Sequence, residues 1–294
     1  MISLNMFDYP AIYREADNIS NKTRRYYLVV LWLFLCMLVI SSFLFTYFDS
    51  FLVLKVFNAT ISLAIVILSF VFCFHNFQGI WYNAKAVAES IKTISWRYAV
   101  KAEPYDITDD DVKRLFLKTI KHILDMNHDF QKSIEVDYGD QQSIPDSMTM
   151  TRQLPFNERF NIYYKYRIIE QRDWYIKNQK SIKNVQTYFF TLIIISYILF
   201  VTILLSFTRV GNGFVLPISI LLSLISILFT WLQTKRYKEL EKSYALTSYE
   251  INFIATQKDD IISDVLFSNY VDNSENAFSR EHTQWIARKD NQNI

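Results

Sequence analysis

Polar side chains recur at helical spacing within two long apolar runs, near residues 56–74 and 214–232. Shifted by about 157 residues the two sets coincide, which indicates an internal repeat. Such groups on an apolar helix either hydrogen-bond to a closely approaching helix or line a weakly polar conduit in an oligomer. Both interpretations stay open. The first stripe is Ser62, Ser69, Cys73 and Asn76, and the second stripe is Ser219, Ser223, Ser226, Thr230 and Gln233.

Residues that could support catalysis are poorly arranged. The chain has no phosphate-binding glycine loop and no nucleophile elbow, and its four histidines lack the spacing of a zinc site. Three aspartates at positions 109–111 suit a helix N-terminus better than a metal site. Glu281 and His282 are adjacent, so on a helix their side chains point in different directions. The sequence therefore predicts neither enzymatic activity nor a cofactor.

Charge and composition exclude two further classes of function. No Asp, Glu, Arg or His lies well inside an apolar run, so the proton relays and ion sites of secondary transporters are missing. The net charge of +2 is too small to indicate a nucleic-acid partner. With only four glycines and 51% hydrophobic residues, the chain favours long helices.

Four apolar runs are long enough to cross a bilayer, whose core of about 30 Å needs roughly 20 helical residues. None of them contains a charged side chain, and two short connections, 48–55 and 208–213, join them in pairs. The sequence therefore predicts an all-α membrane protein with four transmembrane helices arranged as two antiparallel hairpins. The predicted spans are 26–47, 56–74, 185–207 and 214–232.

The distribution of basic residues predicts the orientation of the chain. Lys and Arg cluster before the first and third spans and after the fourth, whereas the hairpin connections hold only Lys55 and Arg209. Because basic residues stay on the cytoplasmic side, both termini and the middle region are predicted to be cytoplasmic. The lipid bilayer is then the first partner of this multi-pass chain.

Two heptad stripes predict long cytoplasmic helices that continue from the second and fourth spans. Each stripe should pack against the helix that enters the membrane before it, at residues 12–25 and 164–182. The two stripes are offset by about 156 residues, as expected for two copies of one domain. Their residues are Trp81, Ala84, Ala88, Ile91, Ser95 and Tyr98, and Tyr237, Leu240, Tyr244, Thr247, Ile251 and Ile254.

Between the two copies lies an insert, for which the sequence predicts a helix and a linker. Thr108 can cap the helix, and residues 137–155, which contain Gly139 and Pro145, are typical of a linker. The predicted domains are a first unit at 1–101, the insert at 102–160 and a second unit at 161–294. The apolar face of the insert helix is Val112, Phe116, Ile120, Ile123 and Phe130.

Short motifs around the paired spans resemble the SLATT family, the two-transmembrane effector domain found beside SMODS nucleotidyltransferases and SLOG nucleotide sensors. The first copy carries Tyr13, Arg14, Ala16, Asp17 and Ser20 before its span and ends in Ser95-Trp96-Arg97-Tyr98. The second carries Glu170-Gln171, Trp174-Tyr175 and the run 235–250, and residues 279–285 resemble a C-terminal element of the family. The resemblance thus implies two diverged copies fused in one chain.

The resemblance implies an inner-membrane effector of a bacterial conflict, or antiphage, system. Such an effector is thought to permeabilise or depolarise the membrane as a homo-oligomer when a nucleotide-linked or infection cue arrives. A nucleotide-signalling enzyme or sensor encoded nearby is the partner that the family suggests. The alternative is a non-conducting anchor or scaffold that recruits a cytoplasmic partner through the insert or the C-terminal segment.

The predicted orientation can be tested by cysteine labelling in intact cells, with Cys36 and Cys73 replaced by Ser. Asn212→Cys should react with a membrane-impermeant maleimide, because the second hairpin connection is expected outside. Asp140→Cys should react only after the cells are permeabilised. The reverse pattern would show that the orientation is wrong.

Overall fold

The structure is a computed structural model that describes residues 7–48, 50–107, 109–133, 143–207 and 218–290. For residues 73, 109, 110, 128, 129, 207 and 280–290 it describes the backbone alone. The described residues are helical and contain no strand. The α-helices are α1 Ala11–Phe48, α2 Leu52–Phe74, α3 Phe77–Ala99, α4 Asp109–Asp125, α5 His128–Gln131, α6 Asp146–Gln153, α7 Phe156–Tyr163, α8 Glu170–Phe207, α9 Ile218–Lys235, α10 Tyr237–Thr256 and α11 Asp264–Asp290, with a π-helical segment Tyr164–Ile169 and a 3₁₀ turn Gln257–Asp260.

The chain divides into two compact units, each assembled from separate stretches of sequence. The span unit comprises residues 25–77 and 178–242, and the polar unit comprises residues 1–24, 78–177 and 243–294. Because α1 and α8 contribute residues to both, the unit boundaries do not coincide with helix ends.

Four helices are long and apolar enough to cross a membrane, which confirms the predicted fold class. They are the apolar parts of α1, α2, α8 and α9. The first hairpin connection is shorter than the predicted 48–55, since α1 ends at Phe48 and α2 begins at Leu52, which places Lys55 in the first turn of α2. The second connection, 208–213, and the predicted start of the fourth span at residue 214 lie outside the described residues.

Within the span unit, spans from the two copies pack on one another. Leu31 and Leu35 of α1 share a buried cluster with Ile227 and Trp231 of α9. The rings of Trp32 and Trp231 lie 4.8 Å apart. The first span of copy one therefore packs against the second span of copy two, a pairing that the hairpin pattern alone did not predict.

Long helices follow the second and fourth spans as predicted, but a break of one or two residues precedes each of them. His75 has extended backbone angles, φ −99° and ψ 114°, which separate α2 from α3. Arg236, with φ 48°, separates α9 from α10. A left-handed, non-glycine residue costs about 1 to 2 kcal/mol. Apolar periodicity cannot reveal a break of one or two residues, because the stripes on either side keep their own register.

In the polar unit two buried clusters form around the two expected helix pairs, and the second also includes Trp96, Val100 and Ala102 of the first copy. Ala16 of α1 packs with Ala88 and Ile91 of α3 in the first cluster. Tyr175 of α8 packs with Ile251 of α10 in the second. The insert helix is confirmed as α4, with Val112, Phe116 and Ile120 buried in the first cluster together with Phe130 of α5. Ile123 is half-buried against it.

Part of the predicted linker at 137–155 is helical and buried, so that prediction is wrong for α6. Arg152 of α6 donates hydrogen bonds to the carbonyl oxygens of Tyr98 and Tyr105, at 3.0 and 2.8 Å, and to that of Ile107 at 3.0 Å. Tyr98 lies in the last turn of α3, and Tyr105 and Ile107 follow that helix, so Arg152 holds the chain that leaves α3. A buried arginine that binds distant carbonyls is a tertiary feature with no local sequence signal.

Candidate functional site

The second polar stripe lies on one face of α9 and points away from the core of the span unit. Ser219, Ser226, Thr230 and Gln233 are exposed, and Ser223 is half-buried. The buried residues of α9 occupy its other faces: Leu221, Ile225, Ile227 and Trp231. Most of the stripe is therefore not used for packing within one chain.

Several hydroxyl groups of the stripes are satisfied within the span unit. Ser223 Oγ donates to the carbonyl oxygen of Ser219 at 2.8 Å, and the Ser219 hydroxyl lies 2.7 Å from that of Thr46 on α1. In the first stripe, Ser62 and Ser69 donate to carbonyl oxygens four residues earlier, each at 2.9 Å. Hydroxyls bonded in this way can face lipid, a helix or a conduit at little cost.

The first stripe is shorter than the sequence predicted. Asn76 lies beyond the end of α2, in the break before α3, so it does not share the helical face of Ser62 and Ser69. The backbone of Cys73 belongs to α2, but its side chain is among those that are not described. The equivalence of the two stripes is thus limited to their hydroxyl residues.

The residues of the predicted helix-pairing stripes are placed as follows. Ala88, Ile91, Tyr98 and Ile251 are buried. Tyr244 is half-buried, with its ring 5.4 Å from Trp174 and 5.3 Å from Tyr175. Three more are half-buried: Trp81, which lies under the Arg24 guanidinium at 5.5 Å, Leu240, and Tyr237, which stacks on Phe189 at 6.3 Å. The remaining four, Ala84, Ser95, Thr247 and Ile254, are buried.

Tyr98 has a different neighbour from the one expected. Its ring lies 4.7 Å from Phe116 of α4 and 6.1 Å from Tyr105. The last turns of α3 therefore pack on the insert, because the chain turns back there and brings α4 alongside.

A buried ion pair, which the sequence did not reveal, lies in the polar unit. Glu275 of α11 has no exposed surface, and the Arg167 side chain is 2% exposed. Arg167 donates from Nε and Nη2 to the two carboxylate oxygens of Glu275, at 2.8 and 2.7 Å. The Tyr163 hydroxyl and the Thr93 hydroxyl each donate to that carboxylate at 3.0 Å. We call these four residues the charge cluster.

Burial and the charge of Glu275 together set the protonation states of Arg167 and Tyr163. Burial on its own would lower the pKa of Arg167, but the charge of Glu275 outweighs it and raises that pKa. Burial, reinforced by the Glu275 charge, raises the pKa of Tyr163 well above its ordinary value. Arg167 therefore stays cationic and Tyr163 stays a neutral donor, so the cluster is suited to holding helices together.

A π-helical segment, Tyr164–Ile169, carries Arg167 into this position. Its wider turn follows α7 directly and leaves both Arg167 and Ile168 buried. The Arg167 guanidinium also lies 4.3 Å from the ring of Phe278. Insertions of this kind in α-helices are frequent at functional positions.

The charge cluster joins both copies to the C-terminal helix. Thr93 belongs to α3 of copy one, whereas Tyr163 and Arg167 belong to copy two. Further ion pairs attach α11: Arg97 to Asp272 at 2.7 Å, and Arg159 to Asp264. Of the C-terminal element at 279–285, the structure describes the helical backbone but not the side chains of residues 280–285.

A second group of charges lies between α1 and α3, at residues that carry the family resemblance. Lys85 Nζ lies 2.9 Å from Glu89 and 3.3 Å from Asp17, and Lys92 lies 3.9 Å from Glu89. Burial alone would raise the pKa of Glu89, but Lys92 and Lys85 outweigh it and lower that pKa to about 2. Burial and the nearby Asp17 raise the pKa of Tyr13 to about 12.

The structure has two pairs of spans. After each pair, a further helix packs against the helix that led into the first span of that pair. This arrangement defines a multi-pass α-helical membrane protein built from a duplicated two-span domain. Residues 10–160 match the model of the SMODS and SLOG-associating 2TM effector domain 3. Residues 163–285 match that of the SMODS and SLOG-associating 2TM effector domain 1. The chain therefore belongs to the SLATT family, as predicted, with two of its domains in tandem.

These domains are two-transmembrane effector domains associated with SMODS and SLOG conflict systems. The first match includes the residues that the sequence assigned to an insert, so α4 and α6 fall within a recognised domain. No curated protein and no solved structure matches the chain.

Breaking the charge cluster should strongly destabilise the polar unit. Arg167→Met leaves the Glu275 carboxylate buried without its cation, and removing one partner of a buried pair costs about 3 to 5 kcal/mol. Thermal unfolding of the purified chain in detergent measures this. Asp173→Asn is the control, because its carboxylate is 59% exposed, its partner Arg172 is part-exposed, and such an ion pair is worth about 1 kcal/mol or less. Equal effects of the two variants would contradict a structural role for the cluster.

The lowered pKa of Glu89 predicts a pH dependence of stability. A carboxylate with pKa about 2 when folded and 4.5 when unfolded stabilises the fold above pH 4.5, and this stabilisation is lost as the pH falls from 4.5 towards 2. The difference in Tm between wild type and Glu89→Gln should therefore shrink over that interval. Glu158→Gln, at an exposed carboxylate, controls for the loss of one charge. A pH-independent difference would contradict the assignment.

Proposed function

We propose that the chain is an inner-membrane effector that permeabilises or depolarises the membrane as a homo-oligomer. The observation that carries this proposal is the exposed polar stripe of α9, which the chain's own span core leaves uncovered. Polar groups on a transmembrane helix are usually turned towards another helix or towards water. An assembly of several chains can provide either environment, and the conduit arrangement turns Ser223 and Ser226 towards the axis.

A single chain is too small to conduct. Residues of all four spans contribute to one apolar cluster around Trp231, so the centre of the bundle is occupied by side chains. A conduit must therefore be enclosed by several copies around a symmetry axis. Hydroxyl groups presented to that axis make a weakly polar lining without fixed charge, which fits loss of membrane potential better than selective transport.

The distribution of basic residues supports a cytoplasmic position for both termini, and with them for the polar unit. A nucleotide-linked cue, or a partner that produces or senses it, is available in that compartment. α1 and α8 are each uninterrupted over 38 residues and contain residues of both units. Together with α10, which also contains residues of both units, they are elements through which a rearrangement of the polar unit would reach the spans.

The conduit can be tested by filling the stripe with apolar side chains. In Ser223→Leu/Ser226→Leu, conductance in planar bilayers and toxicity on induction should be lost, because the lining becomes larger and apolar. Insertion should be retained, since Leu favours the bilayer centre by a few tenths of a kcal/mol. Single-channel recording, membrane potential in cells and native size would be measured together.

The matched control is Thr191→Leu/Thr202→Leu on α8. Both threonines are exposed and bonded to carbonyl oxygens of their own helix, but neither belongs to a stripe. The control should keep its conductance. Loss of assembly in the Ser223/Ser226 variant would instead show that the stripe packs helices. Wild-type protein that leaves bilayers sealed under every cue would favour the scaffold.

A further inference from the structure

An apolar face of α10 in the polar unit is left exposed. Tyr249 is 73% exposed and Phe253 is 61% exposed, and Leu246 lies one turn before them on the same side. Large side chains of this kind, aligned at steps of three and four, form the contact face of a helix with a partner helix. The described residues of the polar unit leave this face, which we call the α10 face, open to solvent.

The duplication identifies the equivalent face in the first copy. In the register of the two heptad stripes, Ile91, Ser95 and Tyr98 of α3 correspond to Thr247, Ile251 and Ile254 of α10, and all six are buried. The two helices therefore turn the same face inward. In that register the α10 face corresponds to Ser90, Thr93 and Arg97 of α3.

In the first copy α11 of the second copy covers this face at Thr93 and Arg97, while Ser90 stays exposed. Thr93 donates to Glu275 at 3.0 Å. Arg97 binds Asp272 at 2.7 Å and Asn276 at 3.1 Å. The second copy thus docks its last helix on the first copy within one chain, and the α10 face is the same surface without its occupant.

The counterpart of α11 in the first copy is α4. Each follows its stripe helix after a short connection. Among the described side chains of α4, Val112, Phe116 and Ile120 are buried, and they align with Phe267, Val271 and Glu275, which are among the more numerous buried residues of α11. In this register Leu117 corresponds to Asp272, and Lys121 to Asn276. Leu117 is 43% exposed and Lys121 is exposed.

The two open surfaces are chemically complementary. Within the chain, Arg97 of α3 pairs with Asp272 of α11. At the corresponding positions, α10 has Phe253 and α4 has Leu117. These two exposed residues are both apolar. The net charges around them are opposite. The turn after α10 exposes Asp259 and Asp260 beside one cation, Lys258. On α4 four exposed cations lie within four positions of Leu117, whereas the exposed carboxylates of Asp111 and Asp125 lie farther along the helix. The cations are Lys113, Arg114, Lys118 and Lys121.

We propose that α4 of a second copy of this chain covers the α10 face. Within one chain, α11 docks on α3 and joins the two domains. The proposed contact is the equivalent docking of α4 on α10, between two chains. It is head-to-tail, because each chain presents an α10 face at one site and an α4 surface at another, and such contacts form rings when the rotation closes. The inference rests on one part of the proposed function, namely that the chain forms a homo-oligomer, and it does not require a conduit.

The experiment measures self-association of the full-length chain in detergent by native mass. Wild type should form oligomers, whereas Phe253→Glu alone and Leu117→Lys alone should be monomeric, since each places a charge opposite an apolar side chain. Mixing the two variants should restore assembly. In the mixture, the introduced glutamate of one variant meets the introduced lysine of the other. The second contact of each chain is then the wild-type one, so the two kinds of contact alternate around the oligomer.

Two controls separate this contact from a folding defect. Both positions are exposed, so the two variants should keep the wild-type Tm. Met150→Lys, which places a charge at another exposed apolar residue of the polar unit, should assemble like wild type. Single variants that keep the wild-type native size, or a mixture that stays monomeric, would overturn the proposal.

Disulfide trapping distinguishes the head-to-tail contact from a symmetric one. With Cys36 and Cys73 replaced by Ser, Leu117→Cys/Phe253→Cys should give a ladder of cross-linked chains on oxidation, and neither single variant should. Dimers from Phe253→Cys alone would show that two α10 faces meet, which overturns the proposal. If the chains assemble through this contact but do not conduct in bilayers, the proposed conduit is refuted and the interface is retained. If the chains conduct but this contact does not form, the interface is refuted and the conduit is retained.

Discussion

Glu275 places a carboxylate where no water reaches it, and the polar unit is arranged around the need to neutralise that charge. An isolated buried carboxylate would take up a proton or move to the surface. Here Arg167 supplies two charge-assisted hydrogen bonds, and Tyr163 and Thr93 complete the shell. Because these donors come from α3, α7 and the π-helical segment, α11 can dock only when both copies are folded.

The two domains have diverged at the positions where they contact each other. Ile120 of α4 occupies the place that Glu275 holds on α11, so the first copy closes its cluster with an apolar side chain. Thr93 and Arg97 of α3 bind α11 by polar contacts, whereas Tyr249 and Phe253 at the equivalent positions of α10 are open. Because the two domains have diverged, α3 binds α11 within the chain, whereas the α10 face stays available for a contact between chains.

In the span unit, helix packing uses one side of α9 and leaves the polar side free. Trp231 and Ile227 pack with Leu31 and Leu35, while Ser226 and Thr230 face outward. Lipid provides no hydrophobic gain for bringing helices together, so polar and small residues decide which surfaces associate. The uncovered stripe of α9 and the uncovered face of α10 are independent observations, since they belong to different units.

The sequence determined the four spans, the two helix pairs and the family, because apolar length and heptad spacing are local properties that each helix expresses by itself. It did not determine the breaks at His75 and Arg236, the burial of Arg152, or the partner of Glu275. Those depend on contacts between residues far apart in the chain, such as Arg167 and Glu275, which are separated by 108 positions. A glutamate in a polar helix predicts a solvated side chain, and only the tertiary structure, by bringing an arginine to it, makes its burial favourable.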